Sequence, residues 1–180
     1  LIPRESISEL SSPAPVRDAL RHIFARVTDG LWLVGGTALA GYYAEHRRSD
    51  DLDLFAVDPE AHRAAVLAVT SLAQRGALFS NERRTPDYYH AGVSWNRHEF
   101  TVDIVLDVRL HQIGHGIHRP DGTMVADLET LFASKAACLV SRCSEKDLFD
   151  LDWIFAHKCG INVRAVLEKT GPLLTSSANQ

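Results

Sequence analysis

Three carboxylates on two strand-like segments are the side chains in this 180-residue chain with the types and spacing to do chemistry. In Asp51-Leu-Asp-Leu-Phe-Ala-Val57, acidic and apolar residues alternate with period two. Asp51 and Asp53 therefore share one face of a strand, and Leu52 and Leu54 share the other. Strand residues two apart lie about 6.5–7 Å from each other, close enough for both carboxylates to converge on hard cations such as Mg²⁺ or Mn²⁺. Two such ions held about 3.5–4 Å apart activate an attacking hydroxyl and stabilise a leaving phosphate, so the spacing suits phosphoryl chemistry. An isolated D-x-D pair is also an ordinary solvated strand face. The third acid shifts the balance. In the segment Glu99–Leu106, Phe100, Val102, Ile104 and Leu106 form one face, and Asp103 lies on the other between apolar neighbours. A partly buried carboxylate there needs a cation or hydrogen-bond donors. Asp107, nearer the strand end, reads as ordinary surface.

Before the acids stands Gly35–Gly36–Thr37, a turn that allows close backbone approach to a ligand and presents amides at a helix start, a suitable cradle for phosphate. Equally, it is a tight strand-to-helix connection with Thr37 as the cap. His111-Gln-Ile-Gly-His-Gly-Ile-His118 contains metal-binding side chains, but its two glycines break any rigid helical arrangement and no cysteine completes a set. We expect a mobile loop near the cleft entrance. Cys138, Cys143 and Cys159 lack CxxC spacing and read as reduced packing residues, which suits a cytoplasmic protein.

The elements that must position these residues follow from periodicity. With 46% apolar and 23% charged residues the chain has ordinary globular composition. No apolar run reaches the length of a membrane span, and Leu1–Pro15 lacks the features of a signal peptide. A net charge of −4 excludes nucleic-acid binding through bulk positive charge. Arg47–Arg48 and Arg83–Arg84 remain as local basic patches or solvated faces. Helical spacing marks Pro13–Thr28, with Val16, Leu20, Ile23, Phe24 and Val27 on its inner face. Leu31–Val34 is a short strand, Thr37–Glu45 a helix, Asp51–Val57 a strand, and Pro59–Arg75 a helix ended by Gly76. Tyr88–Asn96 and Glu99–Leu106 form an antiparallel hairpin about a turn at Arg97–His98. The last third reads as helix only: Leu128–Arg142, Glu145–His157 and Val163–Lys169.

Leu33-Val-Gly-Gly-Thr-Ala-Leu39 followed by His46-Arg-Arg-Ser-Asp-Asp-Leu-Asp-Leu-Phe55 resembles the first motif of the AbiEii/AbiGii toxin-like nucleotidyltransferases, in the polymerase-beta-like superfamily. Ala133-Ser-Lys-Ala-Ala-Cys-Leu-Val-Ser-Arg142 and Glu145-Lys-Asp-Leu-Phe-Asp-Leu151 are similar to that family's later K-x-x-A-L-x-x-R and K-D-x-x-D motifs, so the resemblance spans about Trp32 to Phe155. Antibiotic-modifying relatives often carry Trp after the paired glycines and His before the acidic strand. Here Thr37 and Ser49 stand at those places, which favours the toxin-like group.

The resemblance implies an α/β (α+β) fold, with a small mixed sheet, flanking helices and a helical C-terminal region. Residues 1–110 would form the core, and 111–180 a helical part packed on it with the site between. It implies Mg²⁺-dependent transfer of NMP from an NTP (ATP, GTP or CTP) to an acceptor hydroxyl of tRNA or protein, with release of pyrophosphate. A cognate antitoxin is the implied partner. Asp51, Asp53 and Asp103 would bind the metal, Gly35, Gly36 and Thr37 would contact the triphosphate, and Lys135 would steer it. Arg48 and Ser49 would order the loop before the acidic strand. Lys146, Asp147 and Asp150 begin a helix whose polar face, opposite Leu148, Leu151, Ile154 and Phe155, either enters the cleft or forms a salt-bridged surface. A small-molecule nucleotidyltransferase and a non-catalytic nucleotide-binding protein are the alternative functions.

Overall fold

The structure is a computed structural model that describes residues 1–141, 144–157, 160–166 and 168. An amphipathic first helix, α1 (Ala14–Phe24), leads to β1 (Leu31–Val34), all four residues of which are buried. The chain passes directly from β1 into helix α2 (Gly35–Ala38), which continues as a wider π-helical turn over Leu39–Ala44 and ends at Glu45 with φ 51°. The helix thus starts two residues earlier than the sequence predicts. Thr37 is buried inside it and does not cap it. β2 (Leu52–Ala56) follows, then α3 (Pro59–Thr70), capped by Asp58, whose carboxylate accepts from the Glu60 and Ala61 amides at 2.8 Å. A 3₁₀ turn over Ser71–Arg75 ends at Gly76 in the left-handed region, as expected.

β3 (Leu78–Arg84), β4 (Tyr88–Trp95) and β5 (His98–Leu106) form an antiparallel meander. Trp95 pairs with His98, so the hairpin turn sits at Asn96–Arg97, both at positive φ, one residue earlier than expected. The sequence does not signal β3 because the strand is almost wholly exposed and lacks apolar alternation; backbone pairing to β4 holds it.

The last third corrects the expectation of helix only. β6 (Gly116–His118) and β7 (Met124–Ala126) precede α4 (Leu128–Ser141) and α5 (Glu145–Ala156). They read weakly because three-residue strands carry too little period to detect. They complete a seven-stranded mixed sheet in the order β3-β4-β5-β2-β1-β7-β6. The helix expected over Val163–Lys169 is helical at 163–166. Lys169, Arg142, Cys143 and Cys159 lie outside the described residues.

Period two divides the sheet into two chemical faces. Leu52, Leu54, Ala56, Val102 and Ile104 are fully buried on the face that α3 covers. Each large side chain there contributes about 1.5–3 kcal/mol of burial. Asp53, Thr101 and Asp103 lie half-buried on the opposite face. The core that fixes these strands therefore also sets the direction of the acids.

Candidate active site

Register brings the acids together. β2 and β5 run parallel, with Asp53 paired to Asp103 and Leu54 to Ile104, so two carboxylates are lateral neighbours on one face. Asp51, two residues before Asp53, joins them at the rim of a cavity of about 200 Å³. Gly36, Ser49, Lys135, Lys146 and Asp147 line the same cavity, and so do Arg47, Thr101 and Ser144.

Each acid is held differently. Asp51 accepts a 2.8 Å hydrogen bond from the Thr101 hydroxyl through Oδ1, while Lys146 Nζ lies 3.9 Å from its Oδ2. Asp103 Oδ1 is engaged by the Tyr88 hydroxyl at 2.5 Å and by His90 Nδ1 at 3.0 Å, the donors that a partly buried carboxylate was expected to need. Burial, followed by the hydrogen bond to Asp103, pushes the Tyr88 hydroxyl up to about 12, so it stays a donor at neutral pH. Asp53 packs against Gly35: a Cβ there would sit 1.9 Å from Asp53 Oδ2, and φ of +68° also favours glycine. Under the strand start, the Thr37 hydroxyl contacts Ser49 Oγ at 3.0 Å and also donates to the Asp51 carbonyl. Thr37 and Ser49 thus brace the acidic strand from below.

The donor set is all-oxygen and hard. Among the described residues, no three His, Cys, Asp or Glu side chains form a ready-made metal cage, because Thr101 and the Tyr88–His90 pair each draw one carboxylate toward themselves. Mg²⁺ does not need such a cage: it takes one or two carboxylates and completes its shell with water and substrate phosphate oxygens. Asp51, Asp53 and Asp103 fit that requirement.

The second half of the site is a buried ionic network. Asp150 is fully buried, with Arg47 bidentate on its two oxygens at 2.7 and 2.8 Å, His46 Nε2 at 2.7 Å and Lys135 Nζ at 2.8 Å. Burial opposes ionisation of Asp150, but these donors outweigh it and hold the carboxyl well below the usual carboxylate range. Lys135 also bonds Asp147 at 2.8 Å, and Asp147 accepts from Ser144 at 2.6 Å. Burial works against the Lys135 charge, while the hydrogen bonds its ammonium donates to Asp147 and Asp150 reverse the effect and raise its pKa. The expected separation of α5 into a polar and an apolar face is corrected: Asp147, Asp150, Leu151 and Ile154 share the buried side, while Leu148 and Phe155 are about half exposed. Paired cations from outside α5 make a buried acidic stripe compatible with buried leucines.

Two positions separate adjacent residues that the sequence could not tell apart. Arg48 is 62% exposed on Asp50, outside this cavity. Arg47 turns inward, and a Cβ on Gly36 would lie 2.2 Å from its Nη2, so guanidinium and glycine meet directly. Thr101, Ser144, Tyr88 and His90 carry no site signal in the sequence, and Arg47 reads there only as part of a basic patch; register and long-range pairing bring in all but Ser144, which enters locally as the cap of α5. The histidine-rich stretch forms a 3₁₀ turn and β6 at the far sheet edge; its His111 and His115 line a different cavity, not the cleft entrance. No helix among the described residues is long and apolar enough to cross a membrane.

Comparisons with known proteins bear on the fold and the family. A search of curated proteins finds no match. Among solved structures, JHP933 from Helicobacter pylori superposes with a TM-score of 0.55 at 21% identity, over 80% of this chain and 66% of that one. A second H. pylori protein gives 0.56 at 18% identity, over 87% and 80% of the two chains. MenT4, a nucleotidyltransferase toxin from Mycobacterium tuberculosis H37Rv, gives 0.50 at 21%, over 77% of this chain and 59% of its own. This chain therefore spans about two thirds of JHP933 and less of MenT4. At these identities the likeness speaks for the fold. Residues 18–171 match the family described as nucleotidyl transferase AbiEii toxin of type IV toxin–antitoxin systems, and the chain belongs to that family.

Proposed function

We propose that this protein transfers NMP from an NTP to an acceptor hydroxyl with release of pyrophosphate, as a toxin-type nucleotidyltransferase. The observation that carries the proposal is the register pairing of Asp53 with Asp103, with Asp51 on the same face of one small polar cavity. Asp51, Asp53 and Asp103 would hold Mg²⁺, or Mn²⁺ in its place, which supplies Lewis-acid stabilisation of phosphate charge and lowers the pKa of the acceptor hydroxyl. The chain's own residues do the rest. Gly36, Arg47 and Lys135 line the part of the cavity suited to the β- and γ-phosphates, where N–H donors on cations held in place by Asp147 and Asp150 would meet the leaving pyrophosphate. Tyr88 and His90 hold Asp103 Oδ1, which would leave Oδ2 for the metal. The hydroxyl oxygen forms a bond to the α-phosphorus, the α–β bridging P–O bond breaks, and the hydroxyl proton passes through the carboxylates to solvent. The family description supports a cognate antitoxin as partner, and the acceptor on this reading is tRNA or protein.

The test is metal-dependent label transfer from each α-labelled NTP into total RNA and total protein, with Asp53→Asn as control. Label in small RNA that is lost in the control supports a tRNA-directed transferase, and label in protein redirects the acceptor. Near-normal transfer by Asp53→Asn would sink the mechanism. Growth arrest on expression, relieved by a neighbouring antitoxin gene, tests the toxin assignment separately.

A further inference from the structure

Residues 4–12 belong to no helix or strand, yet they are tied at several points to the segment that carries Arg47 into the catalytic cavity. A helix end leaves its last carbonyls without partners. Where the π-helical turn ends at Ala44, the Gly41 carbonyl accepts from the Ser8 amide at 2.9 Å and the Tyr42 carbonyl from the Arg4 amide at 2.7 Å. Ile7 lies so close to Gly41 that a Cβ there would sit 2.8 Å from its Cγ1. The β6–β7 connection holds this strap in turn: the Ile7 amide donates to Asp121 Oδ2 at 3.0 Å, and Arg119 Nε donates to the Arg4 carbonyl at 2.6 Å.

The strap grips both ends of residues 45–49. Glu45 leaves the helix with φ 51°, the left-handed region that favours glycine. Its carboxylate offsets that strain, one oxygen accepting from the Ser8 hydroxyl and the other from Arg4 Nη2 at 2.6 Å. Four residues on, the Ser49 amide donates to the Ser11 carbonyl at 2.9 Å. A turn inside the strap joins the two grips, because the Ser12 amide donates to the Ser8 carbonyl and the Leu10 amide to Ser8 Oγ, both at 3.2 Å. Ser8 and Ser11 are buried there and are not among the residues that line the catalytic cavity. A side chain is placed by its tip and by its backbone. Asp150 fixes the guanidinium of Arg47, and the strap fixes the backbone on either side of it.

We propose that residues 4–12 are a positioning element for phosphate binding: by clamping Glu45 and Ser49 they hold the Arg47 guanidinium against Gly36 in the geometry that receives the β- and γ-phosphates. This rests on the nucleotidyl-transfer reading above. Preorganisation of this kind acts on affinity, since a loop ordered beforehand does not have to be ordered by the ligand.

The experiment uses the full chain with Arg4→Ala and Ser8→Ala together, which removes both grips on Glu45 and leaves the sequence of the loop unchanged. Hydrogen exchange followed by NMR is the first readout. The Ser49 amide, which touches neither substituted side chain, should exchange about ten-fold faster, the scale of one lost hydrogen bond, while the amides of β5 keep their protection. Unchanged exchange at Ser49 would overturn the coupling between the two grips. The second readout is Mg²⁺–pyrophosphate binding by calorimetry and steady-state transfer, both well below the melting temperature. The dissociation constant for pyrophosphate and KM for NTP should each rise about five-fold, with kcat within about two-fold. A lower melting temperature with both constants unchanged would make the strap mere packing and overturn the proposal. Ser8→Ala alone should give the same pattern at about half the size if the double variant fails to fold. Wild-type protein that neither transfers label nor binds pyrophosphate defeats the nucleotidyl-transfer reading, whereas the exchange readout still decides whether the strap holds the loop.

Discussion

Two acidic groups sit within one cleft, and they are built in opposite ways. On β2 and β5, Asp51 and Asp103 keep one oxygen on a hydroxyl or imidazole partner and remain open to the cavity, with side chains 47% and 27% exposed. On α5, Asp147 and Asp150 are buried and matched by Lys135, Arg47 and His46. On the reading proposed above, the sheet acids are the ones reserved for a cation that comes and goes. Carboxylates crowded on one sheet face repel each other until a cation arrives, whereas a carboxylate fully bonded to permanent cations is part of the scaffold.

Asp53→Asn gives the largest effect expected. Transfer should fall by more than about 10³-fold, while the thermal midpoint stays level or rises, because a like charge is removed from the acidic face. A midpoint collapse would place Asp53 in the scaffold and break the contrast.

Asp150→Ala should do the reverse in kind, costing about 3–5 kcal/mol because Arg47, Lys135 and His46 lose a shared buried partner. For a chain of this size that is a fall in melting temperature of about 10 °C, measured by calorimetry. The same carboxylate gives a pH signature. Its folded pKa lies below the ordinary value of 3.8, so the unfolded chain binds this proton more tightly than the folded one. The stabilisation is complete above that ordinary value and is lost as pH falls through it toward the folded pKa. Wild-type stability should therefore drop steeply below about pH 4, and the drop should be shallower in Asp150→Asn.

Tyr88→Phe removes one donor from Asp103 and leaves His90 in place. Turnover should fall about ten-fold, the scale of a hydrogen bond to a charged group, with KM for NTP within two-fold. An equal fall in thermal stability and none in turnover would move Asp103 into the scaffold class.

Lys146→Ala should have the smallest effect. Its side chain is 72% exposed, with the ammonium 3.9 Å from Asp51. An exposed pair at this distance contributes little, so a change of about three-fold in KM for NTP, shrinking further at high salt, is expected. A larger loss than in Tyr88→Phe would show that NTP binding draws this lysine onto the phosphates.

The three cleft acids were legible because a period-two segment commits its faces locally: once Leu52 and Leu54 are buried, Asp51 and Asp53 must face the other way. Gly35 was legible as a close-approach position, although what approaches it, the Asp53 carboxylate, was not. Arg47 was illegible for a different reason. It and Arg48 are equivalent in sequence, and the choice between them is made by Asp150, 103 residues further along the chain. Tyr88 and His90 likewise acquire a role only through the register that sets His90 beside Asp103. β3 left no trace because a strand exposed on both faces has no apolar period to display.

By itself, then, the sequence determined the local alternation on β2 and β5, the glycines before it, and the motifs that mark the family. These depend on backbone geometry and on neighbours within a few residues, so short-range physics suffices. Tertiary structure alone decided which cation enters the cleft and which acids are neutralised for good. It also decided that a polar groove continues from Asp51 across β5, β4 and β3. Those outcomes depend on pairing between residues far apart in the chain, where the balance of desolvation against contact is settled only once the partners have been brought together.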